Sequence, residues 1–202
     1  MAFDLPRRGK GLPEEVASRV PPGQKLTTKF PVLHYGSVPK PDLHNWDFRV
    51  RGLVEEELRL TYDELTALPT TRIVTDLHCV TGWSQLDMAW EGVAFKEVLK
   101  LVKPLPEARF VMAHAESNFT ANLPLEDLLA DSVLLAWKYD DKPLTPEHGY
   151  PLRLLVPHLY LWKSAKWLRG FEFMAENRPG FWERYGYHIH GDPWKEERFG
   201  QG

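Results

Sequence analysis

The sequence predicts an α+β domain, mainly β, made of mixed sheets with short helices. Three features lead there. Apolar or alternating runs of strand length recur along the chain, as in residues 71–77 (TRIVTDL), 132–139 (SVLLAWKY), 152–156 (LRLLV) and 170–174 (GFEFM). The helical patterns between them last only about one to three turns. No Gly-rich dinucleotide or phosphate loop joins a strand to a helix, so the signature of a doubly wound parallel sheet is missing.

Taken in order, residues 1–29 are rich in Pro, Gly and charge, and read as an N-terminal arm with one short helix near Pro13–Val20. A single domain follows over 30–176, opening with a period-two strand from Trp46 to Leu53. Thr61-Tyr-Asp-Glu64 has the capping-box form, in which Thr and Glu satisfy unpaired N–H groups, and Pro69 stops that helix. The strand 71–77 runs into His78-Cys79 and is broken by Gly82, which puts Cys79 at a strand end. A short helix around Phe95–Lys100, a strand Arg109–His114 and a helix begun by LPLEDLLA come next, ahead of the three later strands. Residues 177–202 form an aromatic, charged tail expected to pack on the domain through Phe181, Trp182 and Trp194.

Composition narrows the function. Lys and Arg number 25 against 28 acidic residues, which gives no basic footprint for nucleic acid or an anionic membrane surface. No run approaches the ~20 apolar residues of a membrane span. Arg7 and Arg8 are followed by no apolar stretch, so no export signal is read and a cytoplasmic location is expected.

The one cysteine, Cys79, rules out an internal disulfide and leaves three readings. It is a small buried hydrophobe, a nucleophile served by a histidine, or a metal ligand. His78 is its neighbour, yet adjacent strand residues point to opposite faces, which argues against a ready-made pair. A single thiolate cannot hold a metal alone, so the third reading requires a cofactor supplying the other ligands. The segment 148–173 offers a binding site for one: Arg153 on a strand, Lys163 and Lys166 on the following loop, with the backbone of Ser164 and Ala165 between them. Such donors suit a phosphate group; the competing reading is ordinary surface charge.

With these pieces in order, Cys79 with Trp83-Ser84, then HGYPLRLLVP, then YLWKSAKWL, the chain resembles the molybdenum oxidoreductases of the sulfite oxidase type from about Phe30 to Glu176. The resemblance implies an enzyme with molybdenum and molybdopterin as cofactors, Cys79 as metal ligand, and oxygen-atom transfer to or from a small-molecule substrate. It also implies an external electron-transfer partner. The cofactor contacts it implies are His34, Tyr35, His114, His148, Arg153, Ser164, Ala165 and Lys166. Where the sulfite-oxidising members carry two arginines and a tyrosine for their anion, this chain has Leu33, Ser84 and Trp137. Sulfite is therefore not the expected substrate, and the C-V-x-x-W-S form is closer to the protein-methionine-sulfoxide reductase branch. Sulfite oxidation and a non-catalytic molybdopterin carrier are the alternatives. Trp83, Trp137 and Trp162 are expected either at the pocket mouth or in the core.

Overall fold

The computed structural model describes residues 13–200; Arg7 and Arg8 lie outside the described residues. In chain order the elements are α1 (Glu14–Ala17), β1 (Lys25–Leu26), β2 (Asp47–Gly52), β3 (Leu58–Thr61), α2 (Tyr62–Thr66) and β4 (Thr70–His78). They continue with β5 (Trp83–Ala94), α3 (Phe95–Val102), β6 (Phe110–Ala115), β7 (Thr120–Pro124) and α4 (Leu125–Leu128). The last are β8 (Leu134–Tyr139), β9 (Lys142–Pro143), β10 (Arg153–Leu155) and β11 (Leu168–Met174). The capping box starts α2 as expected: Thr61 Oγ1 accepts from the Glu64 amide, and the Glu64 carboxylate accepts from the Thr61 amide at 2.8 Å.

The strands make two mixed sheets. One has six strands in the order β1-β5-β8-β10, with β4 on β5 and β9 on β8; the other has five, β3-β2-β11-β6-β7. Strand β5 organises the first. It pairs with β4 from Thr70↔Val93 to His78↔Ser84, and on its other side takes β1 at Trp83 and Ser84 and β8 from Trp90 to Ala94. Segment 13–29 thus contributes a strand, and Arg19 anchors it by ion pairs to Asp76 and Asp87.

Period-two alternation sorts the side chains of the six-stranded sheet onto two buried faces. Leu135, Leu152, Leu154 and Val156 meet Phe48, Val50, Val111, Phe171 and Phe173 of the other sheet, with Phe95, Val98 and Val102 of α3 between the layers. The opposite face carries Leu134, Ala136, Leu155, Met88 and Trp90, against which Phe30 packs. Arg153 shares the parity of Leu155, and its guanidinium lies 5.7 Å from the Phe30 ring and 5.3 Å from that of Trp90. Trp137 belongs to the core between the sheets, which settles the choice left open for it.

The sequence reading passes over β3, β5 and β7, and over the two-residue strands β1 and β9. In β5, Gln85, Asp87, Glu91 and Gly92 interrupt the apolar pattern, and register shifts where β5 meets β4 and β8 break the alternation further. In β7 the strand is short and ends on Pro124. Strand β11 begins two residues before the expected Gly170. Among the described residues no helix is long and apolar enough to cross a membrane.

A Cβ at Gly170 would lie 2.0 Å from the Arg49 carbonyl oxygen across the parallel β11–β2 pair. Gly170→Ala must therefore push the two strands apart, at a cost of about 2 kcal/mol or more. Urea unfolding of the two proteins measures it.

Candidate active site

Cys79 sits where β4 ends, in a turn closed by the Cys79 amide on the Trp83 carbonyl (2.8 Å) and the Gly82 amide on the Cys79 carbonyl (2.9 Å). Its side chain opens on a pocket of about 260 Å³. The thiol is 6% exposed; burial pushes its pKa up, while Thr81's hydrogen bonds and the charges of Arg198 and Lys166 oppose that rise. Thr81 Oγ1 donates to Sγ at 3.1 Å. His78 faces elsewhere, its Nδ1 2.8 Å from Ser84 Oγ, and burial holds its pKa down near 4. The alternation of β4 has separated the two neighbours, and no Cys–His dyad forms.

The segment after β10 returns to the same pocket. Arg153, Ser164, Ala165 and Lys166 all line it, with Cys79, His34 and Tyr35. The Arg153 guanidinium donates to the carbonyls of His148 (3.1 Å) and Ser164 (3.2 Å), and its Nε has no partner among the described residues. No carboxylate among the described residues pairs with it, and burial alone pushes it down to about 10. Lys166 Nζ donates to the carbonyls of Leu33 (2.8 Å) and Glu147 (2.6 Å). Burial first, and Arg153 next, push it down to about 7.

Two partly or wholly buried cations without a carboxylate are costly unless an anion completes them. That donor set suits a phosphate-bearing group, with the Cys79 sulfur at the same pocket to take a soft or high-valent metal. The residues present therefore fit a molybdopterin cofactor.

Other expected contacts land differently. His148 does not line the pocket; it stacks on Phe30 at 4.3 Å and holds Arg153 through its carbonyl. His114 lies away from it on the outer face of β6, paired with Glu172 at 3.0 Å. The chain enters the pocket just beyond, at Glu116 and Ser117. Lys163 is fully buried, with Glu183 at 2.6 Å and the Ile189 carbonyl at 2.6 Å, so it fastens the tail rather than facing a ligand. Ser84 is 0% exposed under His78 and gives the pocket no hydroxyl, whereas Leu33 does line it.

Trp83 and Trp162 line the pocket too, and the tail adds Phe181, Trp182 and Tyr187 to one side of it. The Phe181 amide donates to the Thr120 carbonyl at 2.8 Å, and Glu183 accepts from Trp162 Nε1 at 2.8 Å. His190 bridges Asp127 of α4 (3.1 Å) and Glu197 (3.0 Å); His158 shares Asp127, and His188 lies 3.4 Å from Glu197. Ser117 and Trp167 line the pocket with positive φ (57° and 55°), a conformation that costs on the order of 1–3 kcal/mol each and tends to cluster at ligand sites. The sequence signals for this wall were aromatic density in the tail and the threonine of CVTG, neither of which has a readable spacing.

Residues 35–182 match the family described as an oxidoreductase molybdopterin-binding domain. The chain is 50% identical over 192 residues to the uncharacterized oxidoreductase YuiH of Bacillus subtilis strain 168, covering 95% of this chain and 97% of that one. It is 31% identical over 174 residues to a putative protein-methionine-sulfoxide reductase subunit, YedZ1, of Azospira oryzae (84% of this chain, 66% of that one). To the protein-methionine-sulfoxide reductase catalytic subunit MsrP of Campylobacter jejuni the identity is 26% over 164 residues, 73% of this chain and 55% of that one. The chain thus spans about two thirds or half of those two reductases. Among solved structures, the sulfane dehydrogenase SoxCD from Paracoccus pantotrophus shares the fold, with a TM-score of 0.67 at 22% identity over 92% of this chain and 57% of that one.

Two outcomes follow from the tail's fastening. Lys163→Met strands the Glu183 carboxylate in the interior and should cost about 3–5 kcal/mol, read by urea unfolding. The His190 pKa is raised by its hydrogen bond to Asp127, opposed by burial and helped by Glu197, so its contribution is complete below the ordinary histidine pKa of 6.5 and is lost as pH rises through the raised value. Burial works to raise Asp127, but His158 and His190 hold it well below the carboxylate range, so its own contribution fails only in acid. The protection of residues 186–199 against hydrogen exchange, taken relative to the intrinsic rate at each pH, should fall above neutral pH, and His190→Gln should flatten that dependence.

Proposed function

This chain belongs to the oxidoreductase molybdopterin-binding family, and on that premise we propose that it reduces a neutral sulfoxide, using electrons from an external one-electron partner. It is an enzyme whose cofactor is molybdenum held by molybdopterin. When bound, that cofactor supplies two-electron oxygen-atom transfer as the metal passes between its VI and IV states.

The chain's own residues do the rest. Cys79 supplies the protein's thiolate to the metal. Arg153 and Lys166 bind the phosphate-bearing part of the pterin, while Ser164 and Ala165 shape the backbone beside it. His34 and Tyr35 stand at the exposed rim, and His148 acts indirectly by holding Arg153 in place. Phe181, Trp182 and Tyr187 exclude water from the approach to Cys79 and present aromatic surface to an apolar substituent. The overall reaction takes one sulfoxide, two protons and two electrons to one thioether and one water.

The observation that carries the choice of substrate is the disposition of charge. The Arg and Lys side chains lining the pocket are Arg153 and Lys166, both assigned to the cofactor in this reading, and the remaining wall is dominated by Leu33 and aromatic rings. Nothing there draws a dianion, and soft sulfur groups pack favourably on aromatic faces. The sulfoxide-reductase names of the relatives at 31% and 26% identity agree with this reading.

In the test, molybdenum-replete protein is reduced with a viologen dye and given an alkyl aryl sulfoxide. Dye oxidation coupled to thioether formation is expected, with loss of at least 10³-fold in Cys79→Ser. Sulfite-dependent reduction of ferricyanide at a comparable kcat/KM would sink the assignment. Turnover that survives in Cys79→Ser would remove the thiolate from the mechanism. Arg153→Met should fold but retain less than a tenth of the pterin, measured by fluorescence of the released cofactor.

A further inference from the structure

The turn that presents Cys79 is held from three directions. Gln24 Nε2 donates to the Cys79 carbonyl at 3.1 Å, the Lys25 amide donates to the Gly82 carbonyl at 2.8 Å, and Arg198 donates to the Val80 carbonyl. Gly82, at φ 94°, supplies the left-handed residue that lets the chain reverse into β5. These contacts hold the backbone of residues 79, 80 and 82, on either side of Thr81. The consequence is that the Thr81 hydroxyl, which lines the pocket, lies 3.1 Å from the Cys79 sulfur and donates to it.

A sulfur that accepts a hydrogen bond has less electron density to give a metal, and hydrogen bonding around a ligating cysteine is a general means of tuning redox potential. We propose that Thr81 is a positioning residue that sets the donor strength of the Cys79 sulfur through the hydrogen bond from its hydroxyl. The turn itself has no other use for that hydroxyl, because its reversal is closed by backbone bonds among Cys79, Gly82 and Trp83. Valine at this position would keep the branched shape and lose only the donor; serine would keep the donor and lose only a methyl.

The inference rests on Cys79 as the metal ligand, and the experiment separates the two. Molybdenum content, the midpoint potential of the metal by EPR-monitored titration, and the energy of the thiolate-to-metal charge-transfer band are measured for the wild type, Thr81→Val, Thr81→Ser and Cys79→Ser. Thr81→Val should shift the one-electron equilibrium at least threefold toward the oxidised metal, about 28 mV at 59 mV per tenfold, and move the band to lower energy. Thr81→Ser should keep both at the wild-type position. Loss of molybdenum from Thr81→Val but not from Thr81→Ser would also support the role, since removing a partner of a metal ligand weakens metal affinity. A loaded Thr81→Val with wild-type potential and band overturns the proposal, as does Thr81→Ser behaving like Thr81→Val in potential, band or metal loss. Wild-type protein that takes up no molybdenum, or Cys79→Ser that keeps the charge-transfer band, would instead overturn the assignment of Cys79.

Discussion

Both faces of the six-stranded sheet must be kept from water, and much of the molecule follows from that requirement. One face is covered by a regular layer, the second sheet with α3. The other receives irregular chain: Phe30 and the residues after it, and the loop beyond β10. Regular layers close-pack, whereas loops laid over a sheet leave a gap wherever their side chains do not meet. The pocket occupies such a gap, and the strand end bearing Cys79 and the strand bearing Arg153 both open into it. Residues distant in sequence become neighbours there because β5 and β8 tie their strands into one surface.

Electrostatics then distinguishes what the gap is for. The molecule neutralises most of its buried charge internally: Lys163 with Glu183, Asp47 with three arginines, and Asp127 with two histidines. Arg153 and Lys166 depart from that pattern, with carbonyl oxygens as their hydrogen-bond acceptors among the described residues. Carbonyl dipoles orient a cation but do not cancel it. A fold that pairs those interior charges and leaves these two with carbonyl dipoles offers donors that suit a phosphate-bearing group, in keeping with the molybdopterin-binding family matched over residues 35–182.

How much of this was readable beforehand depended on whether the signal was local. The strands at Thr70–His78, Leu134–Tyr139 and Arg153–Leu155 were visible because burial on one or two faces writes itself into the residue pattern. Strand β5 was not, since its shifts of register and its Gly92 erase the period even though its pairing is the most extensive in the sheet. Cys79, Arg153 and Lys166, which meet at one pocket, stand out in the sequence by chemistry and motif. Ser84 was misjudged because the count of residues from Cys79 says nothing about which way a side chain turns after a reversal at Gly82. Lys163 was misjudged because a lysine carries no local sign that a glutamate twenty positions on will bury with it. The tail's contribution rests on long-range packing: its aromatic residues mark Phe181 and Trp182 as contacts, but not the pocket side they form, and Trp194, expected to pack with them, is exposed.

That tail has a bearing on how the pocket opens. Phe181, Trp182 and Tyr187 belong to neither sheet, so the side of the pocket they form depends on what fastens the tail rather than on strand pairing. Once Glu183 has sunk onto Lys163 and Trp162, reopening that side means exposing a buried ion pair to solvent. How readily that side opens is thereby set by an ion pair outside the pocket as much as by the residues that line it.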